Sequence, residues 1–269
     1  MINILARALH RMLWFDEGRI PSGEWPFLRT AYAGLRDLEE SVTGSVDLTE
    51  GNEEITITGC LDAYRHAVLR RTLDLAQAVI ASWNAGQLVG SVVCARALLE
   101  TLATFHSLLS RAQILADRGD WTTLGELADG YAFSKSPSLH KGQRGPGAPP
   151  GVSQMVRGFI RDTQKCDAKF WDQICEVAHP NGEKLMLFGG VLQDRRFDVR
   201  SSAFNEVWLF PAIYNCLYSC CWLVSAMLDF DILCEHIRIG APPKDDHPLV
   251  RQRVLIDKVV DDVLRNEGC

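Results

Sequence analysis

Residues 207–228, VWLFPAIYNCLYSCCWLVSAML, contain no charged side chain. The run is about long enough to span a bilayer, since a membrane helix needs roughly 20 apolar residues. However, Asn215 and Ser219 dilute it, and its flanks, Glu206 and Asp229, are acidic rather than basic. These features favour the central buried helix of a bundle, which is apolar on all sides. We therefore expect neighbouring helices to bury its large side chains, among them Trp208, Leu217, Trp222 and Leu223.

Apolar residues recur at helical spacing through most of the remaining chain. This pattern predicts helices over residues 25–42, 61–83, 87–117, 121–127, 152–166, 169–178 and 248–264. Residues 87–117 carry apolar side chains on more than one face, so we expect this helix to be central. The sequence thus predicts an all-α protein, an irregular helical bundle folded as a single domain over residues 1–269.

Two segments depart from the helical pattern. Residues 133–151, rich in Gly, Pro and Ser, predict a long mobile loop. Residues 184–200, KLMLFGGVLQDRRFDVR, alternate and are rich in Leu, Val and Phe, which predicts a small β-hairpin turning near Asp194. We do not interpret the loop as a domain linker, because the helices on either side of it are too few to form separate cores.

The composition is typical of a globular protein. The 269 residues are 47% hydrophobic and 23% charged, which is ordinary for a globular protein, and the formal net charge is -6. A negative charge argues against broad adhesion to nucleic acid or to anionic lipid. The nine cysteines, mostly in apolar helical segments, indicate reduced buried thiols. The N-terminal residues 1–18 predict an amphipathic helix rather than a signal peptide, so we expect a cytoplasmic protein without a membrane anchor.

Arg96 and Glu100 are four residues apart and therefore lie on one helical face, surrounded by Val89, Val93 and Ala103. A charged pair within an apolar stripe needs polar partners, because an uncompensated buried charge is very costly. The pair is either a polar site in the bundle core or a structural ion pair whose ends reach water.

His179 precedes Pro180, which disfavours helix at the residue before it, so His179 should end its helix. The helix dipole there favours a protonated imidazole. This residue is either an acid, base or ligand, or a cap for the last carbonyls. We predict that it lies close to Arg96 and Glu100 in the bundle core.

Three further residues are weaker candidates for ligand binding: Asn181 in the turn after His179, and Lys141 and Arg144 in the 133–151 loop. Glu176-x-x-His179 is half of a di-iron motif, but no second Glu-x-x-His segment exists, so no metal is predicted. The chain has no Walker loop, no GxGxxG after a strand and no GxSxG elbow, and no cofactor is predicted.

The segments CARALLETLATFH (94–106) and FWDQICEVAHPNG (170–182) resemble helical bacterial proteins related to the HEPN superfamily. Those proteins pair an Arg-x-x-x-Glu helix with a later helix that ends in His-Pro. The matching residues here are Arg96, Glu100, Trp171, Cys175, His179 and Pro180. The resemblance implies a helical bundle, homodimer formation, a role in bacterial stress or phage defence and, in active members, metal-independent RNA cleavage.

The motif of the active members has Arg followed by His with four to six residues between them. No arginine here has His at that spacing: Arg7 and His10 are too close, and Arg96 and His106 are too far apart. Three hypotheses remain. The chain is a helical interaction or ligand-binding module, with RNA or a small anionic ligand as its partner. It is a ribonuclease with a site rebuilt from Arg96, Glu100 and His179. Or it associates with a membrane through residues 207–228.

Overall fold

The computed structural model describes residues 13–20, 25–133, 151–163, 168–179, 190–193, 196–199 and 202–266. Eight α-helices lie in these ranges. They are α1 (Trp25–Glu40), α2 (Ile57–Asn84), α3 (Leu88–Asp117), α4 (Trp121–Phe133), α5 (Val152–Thr163), α6 (Lys169–Ala178), α7 (Ser202–Ile239) and α8 (Pro248–Asn266). The predicted all-α helical bundle is confirmed.

Helix α3 is the centre of the bundle, as its apolar residues on several faces predict. It packs against α2, α4, α5, α6 and α7. The large buried side chains around it come from several helices, with Phe105 on α3 itself, Trp83 on α2, and Phe210 and Phe230 on α7. Each of these four has at most 2% of its surface exposed. α3 therefore contacts five other helices.

The start and end of α2 have local causes. Thr56 precedes the helix in an extended conformation, and its hydroxyl oxygen accepts a hydrogen bond from the Gly59 amide at 2.9 Å. The helix therefore begins at Ile57, four residues before the predicted start. Gly86, with φ of 73°, follows its C-terminus, in the left-handed conformation that glycine adopts without strain.

Helix α7 contains the charge-free run, and its helical conformation is confirmed over Ser202–Ile239, with Pro211 inside it. The prediction that the run is buried on all sides is wrong. Leu217 and Leu223 are fully buried, but Trp208 is 40% exposed and Trp222 is only partly buried. The reason is that the helices in contact with α7, which are α1, α2, α3, α6 and α8, leave part of its first turns uncovered, where Val207 and Trp208 are exposed.

Two helical segments are long and apolar enough to cross a membrane, Leu88–Asp117 and Glu206–Ile239, by length and composition only. Half of the tested window of each is buried inside the bundle. Core helices of soluble proteins pass the same test, so it is weak evidence for a membrane.

Two short strands, β1 (Gly190–Gln193) and β2 (Arg196–Val199), pair antiparallel, with Gly190 opposite Val199. The turn between them and most of the flanking residues lie outside the described ranges. The β-hairpin insertion over residues 184–200 therefore stays a prediction. The loop over 133–151 and the single domain over 1–269 also stay predictions, because residues 1–12 and 134–150 are outside the description. The predicted N-terminal helix is wrong over its described end, since residues 13–16 are irregular and a short 3-10 helix follows at Glu17–Arg19.

Candidate functional site

Arg96 and Glu100 lie one turn apart on α3 and form an ion pair. Arg96 Nε donates to Glu100 Oε1 at 2.9 Å. The helix geometry alone produces this pair, because residues four apart are stacked on one face. The side chains are 25% and 30% exposed, so neither charge is fully removed from water.

The guanidinium of Arg96 also reaches α6, which packs beside α3. Arg96 Nη1 is 2.8 Å from Nε2 of His179, the residue that caps the C-terminus of α6. The guanidinium carbon lies 5.7 Å from the ring centroid of Trp171, within the range of a cation–π contact. We call Arg96, Glu100, Trp171 and His179 the Arg96 cluster.

The contact between Arg96 and His179 indicates one tautomer of a neutral imidazole. An arginine always donates, so Nε2 of His179 must accept, and its proton must be on Nδ1. The prediction that the helix dipole favours a protonated imidazole at this position stays a prediction.

The structure brings together the three predicted site residues, but not in the bundle core. Arg96 and Glu100 are partly buried, and His179 is exposed. The prediction that the cluster is buried in the core was wrong. The same face of α3 is open to solvent towards the N-terminus of the helix, where Val89 and Val93 are each 46% exposed. The cluster thus lies at the edge of the α3–α6 interface, where a solute can reach it.

Cys175 lies one helical turn before His179. Burial raises the pKa of its thiol, and the positive charge of Arg96 opposes this only in part. Cys175 is therefore a thiol near neutral pH and not a thiolate nucleophile. The weaker candidates Asn181, Lys141 and Arg144 lie outside the described residues, and their role in binding stays a prediction.

Sequence reasoning missed a residue that connects the cluster to α5. Arg157 Nη2 is 2.6 Å from Asp172 Oδ1, and Asp172 is the neighbour of Trp171 in α6. Arg157 and Arg161 are four residues apart on the polar face of a strongly amphipathic short helix. The four-residue spacing of these arginines is visible in the sequence. A charged helix face of this kind usually predicts only a solvent-exposed surface, and not a binding site.

Among the described residues, no group of three or more His, Cys, Asp and Glu side chains is placed to hold a metal ion. No protein-family model, curated protein or solved structure matches this chain. The resemblance to the HEPN superfamily therefore stays a prediction, and the geometry of the site carries the functional argument.

Proposed function

We propose that this protein is a helical ligand-binding module in which the Arg96 cluster receives the anionic group of a small ligand. One observation carries the proposal. The Arg96 guanidinium is held by Glu100, His179 and Trp171 while a quarter of the side chain remains exposed. A cation held in place before binding loses little entropy when a ligand arrives, which increases affinity.

Two donors are suited to such a ligand. Within the described part of the chain, no residue accepts a hydrogen bond from Arg96 Nη2. The second donor is the Nδ1–H group of His179, whose side chain is exposed. Glu100 balances the charge of Arg96, so we expect recognition to depend on directed hydrogen bonds rather than on net attraction. A single carboxylate or phosphate group fits this arrangement.

Three parts of the proposal rest on sequence reasoning. The cytoplasmic location is inferred from the N-terminal sequence and composition. The homodimer and the setting in bacterial stress or phage defence follow from the resemblance to the HEPN superfamily.

The test is a titration of the protein with acetate and with inorganic phosphate, followed by NMR of the arginine Nε–H and tryptophan indole resonances. We expect saturable shifts for Arg96 and Trp171. Arg96→Lys keeps the charge but loses the planar fork and the Nε–H resonance, so the variant is followed at Trp171, whose shift should be abolished. Arg36→Lys is the matched control, since Arg36 is exposed and paired with Glu40 on α1. Unchanged saturation in Arg96→Lys would contradict the proposal.

A metal-independent ribonuclease is the second candidate, and the contact between Arg96 and His179 favours it. This pair puts a phosphate-binding cation beside an imidazole, which are the groups that RNA cleavage needs. Binding is the better proposal because Arg96 occupies the Nε2 lone pair, so His179 must leave Arg96 before that nitrogen acts as a base. Cleavage of single-stranded RNA in the presence of EDTA, lost in His179→Ala, would support the ribonuclease instead.

A further inference from the structure

A groove between α3 and α5 is separate from the Arg96 cluster. Its volume is about 910 Å³, near the upper end of the range for small-molecule sites. The polar lining includes His106, Ser107, Ser110, Arg111, Arg157 and Arg161. Among the described lining residues, three are arginines and Asp162 is the one acidic side chain, while Asp172, outside the lining, pairs with Arg157. This surface contrasts with the net charge of -6 of the whole chain.

The arginines of α5 are accessible. Arg157 and Arg161 have 52% and 77% of their side chains exposed. Their partners are Asp172 at 2.6 Å and Asp162 at 2.8 Å, and both pairs are in contact with water. Exposed ion pairs of this kind are weak, so an incoming anion of higher charge can compete with the carboxylates.

His106 forms the inner end of the groove. Its ring packs edge-on against Phe159 and Trp222, with centroids 5.6 and 5.5 Å away. Burial lowers the pKa of this imidazole, more than the nearby Asp162 raises it. His106 therefore contributes hydrogen bonding without a full charge at neutral pH, and the positive charge of the groove comes from arginine.

The lining also indicates the chemical class of the ligand. It contains no Phe, Tyr or Trp among the described residues, so it offers no platform for stacking nucleobases. Arg157 and Arg161 are one turn apart on α5, and Arg111 belongs to the opposite wall on α3. Guanidinium groups on two walls suit several linked phosphates better than one, because arginine binds phosphate oxygens in pairs.

We infer that the groove between α3 and α5 binds a compact oligophosphate, a small molecule with two or more linked phosphate groups. Arg111, Arg157 and Arg161 bind the phosphate oxygens, and Ser107 and Ser110 donate hydrogen bonds from α3. Arg157 exchanges Asp172 for the ligand. The inference does not rest on the function proposed for the Arg96 cluster.

The experiment is isothermal titration calorimetry of the full chain with inorganic tripolyphosphate at physiological salt. We expect saturable binding of one tripolyphosphate per chain. The double variant Arg157→Gln with Arg161→Gln should weaken it by at least about tenfold. Arg70→Gln is the control, because Arg70 is 60% exposed and paired with Asp74 on α2, away from the groove. Circular dichroism checks that each variant is folded.

A second variant distinguishes specific binding in the groove from nonspecific electrostatic attraction. Ser107→Leu fills the groove without changing its charge, and should also abolish binding. The inference is overturned by an absence of saturable binding, by full affinity in Ser107→Leu, or by a loss in Arg70→Gln equal to that of the double variant. It is also overturned if a single-stranded oligoribonucleotide binds the groove more tightly than tripolyphosphate.

Discussion

Arg96 makes three contacts of different kinds, and together they determine the orientation of one guanidinium. Glu100 accepts from Nε, His179 accepts from Nη1, and the face of the group lies near Trp171. Lysine cannot reproduce this set, because its ammonium has neither a planar face nor a fork of donors. The identity of the residue, and not only its charge, is therefore part of the site.

The loss of unfolding free energy in Glu100→Gln depends on how far the Arg96 cluster is buried. The side chain is 30% exposed, and such an ion pair contributes little to stability. We expect Glu100→Gln to lower the free energy of unfolding by no more than about 1 kcal/mol. Urea denaturation checks this value. A loss of several kcal/mol would instead place the pair in the core, as the apolar stripe on α3 first suggested.

His106 should make the stability of the protein depend on pH. Burial lowers its pKa in the folded chain, so the unfolded chain binds the proton more readily. Stability is then lost as pH falls below about 6.5, the pKa of the unfolded imidazole, until the lowered folded pKa is passed. His106→Gln should flatten the slope of unfolding free energy against pH in this window.

Urea denaturation between about pH 7.5 and pH 5 gives that slope, on both sides of the ordinary imidazole pKa. Part of the slope should remain in the variant, because burial also lowers the pKa of His66. Equal slopes in the variant and the parent protein would show that His106 does not titrate differently on folding.

The sequence predicted correctly which residues form the Arg96 cluster, but not how far they are buried. Arg96 and Glu100 are neighbours by helix geometry, and Pro180 places His179 at a helix end, so both features are local. The exposure of the cluster depends on which helix covers that face of α3, and this is decided by tertiary packing. The groove arginines were missed because they resemble an ordinary solvated helix face.

At the scale of elements, α2 shows how a loop sets the start of a helix. A methyl group added to Gly59 would clash with the carbonyl oxygen of Leu48. Thr56 adds to this attachment, since its amide donates to the same oxygen at 2.9 Å. The loop over residues 41–56 is thus in contact with the first turn of α2, and only glycine fits there. Apolar periodicity carries no signal of this contact, and the predicted start came four residues late.

Gly59→Ala should therefore be destabilising. The clash is with backbone atoms, which cannot move as easily as a side chain, and we expect a loss of about 1–3 kcal/mol. Gly125→Ala in α4 is the matched control, because its new methyl group would meet only the Ile57 side chain at an ordinary 3.7 Å. That change should stabilise the helix by about 0.5–1 kcal/mol. Thermal and urea unfolding compare the two, and equal effects would contradict the contact with Leu48.

At the scale of the whole molecule, α3 and α7 decide between a soluble bundle and a membrane protein. Both are apolar enough to span a bilayer, yet α3 makes contact with five helices and carries the Arg96 cluster. We expect the protein to remain in the supernatant after high-speed centrifugation of a lysate without detergent. Recovery only in detergent would favour membrane association, with Val207 and Trp208 among the exposed residues in contact with lipid.

The central claim is that Arg96 holds Nε2 of His179 and leaves Nδ1–H for a ligand. Long-range proton–nitrogen NMR of the His179 ring at about pH 8, above the ordinary imidazole pKa of about 6.5, tests it most directly. The account predicts a protonated Nδ1 and an unprotonated Nε2, with the proton returning to Nε2 in Arg96→Gln. A proton on Nε2 in the unaltered protein, or the same spectrum in both proteins, would contradict the account.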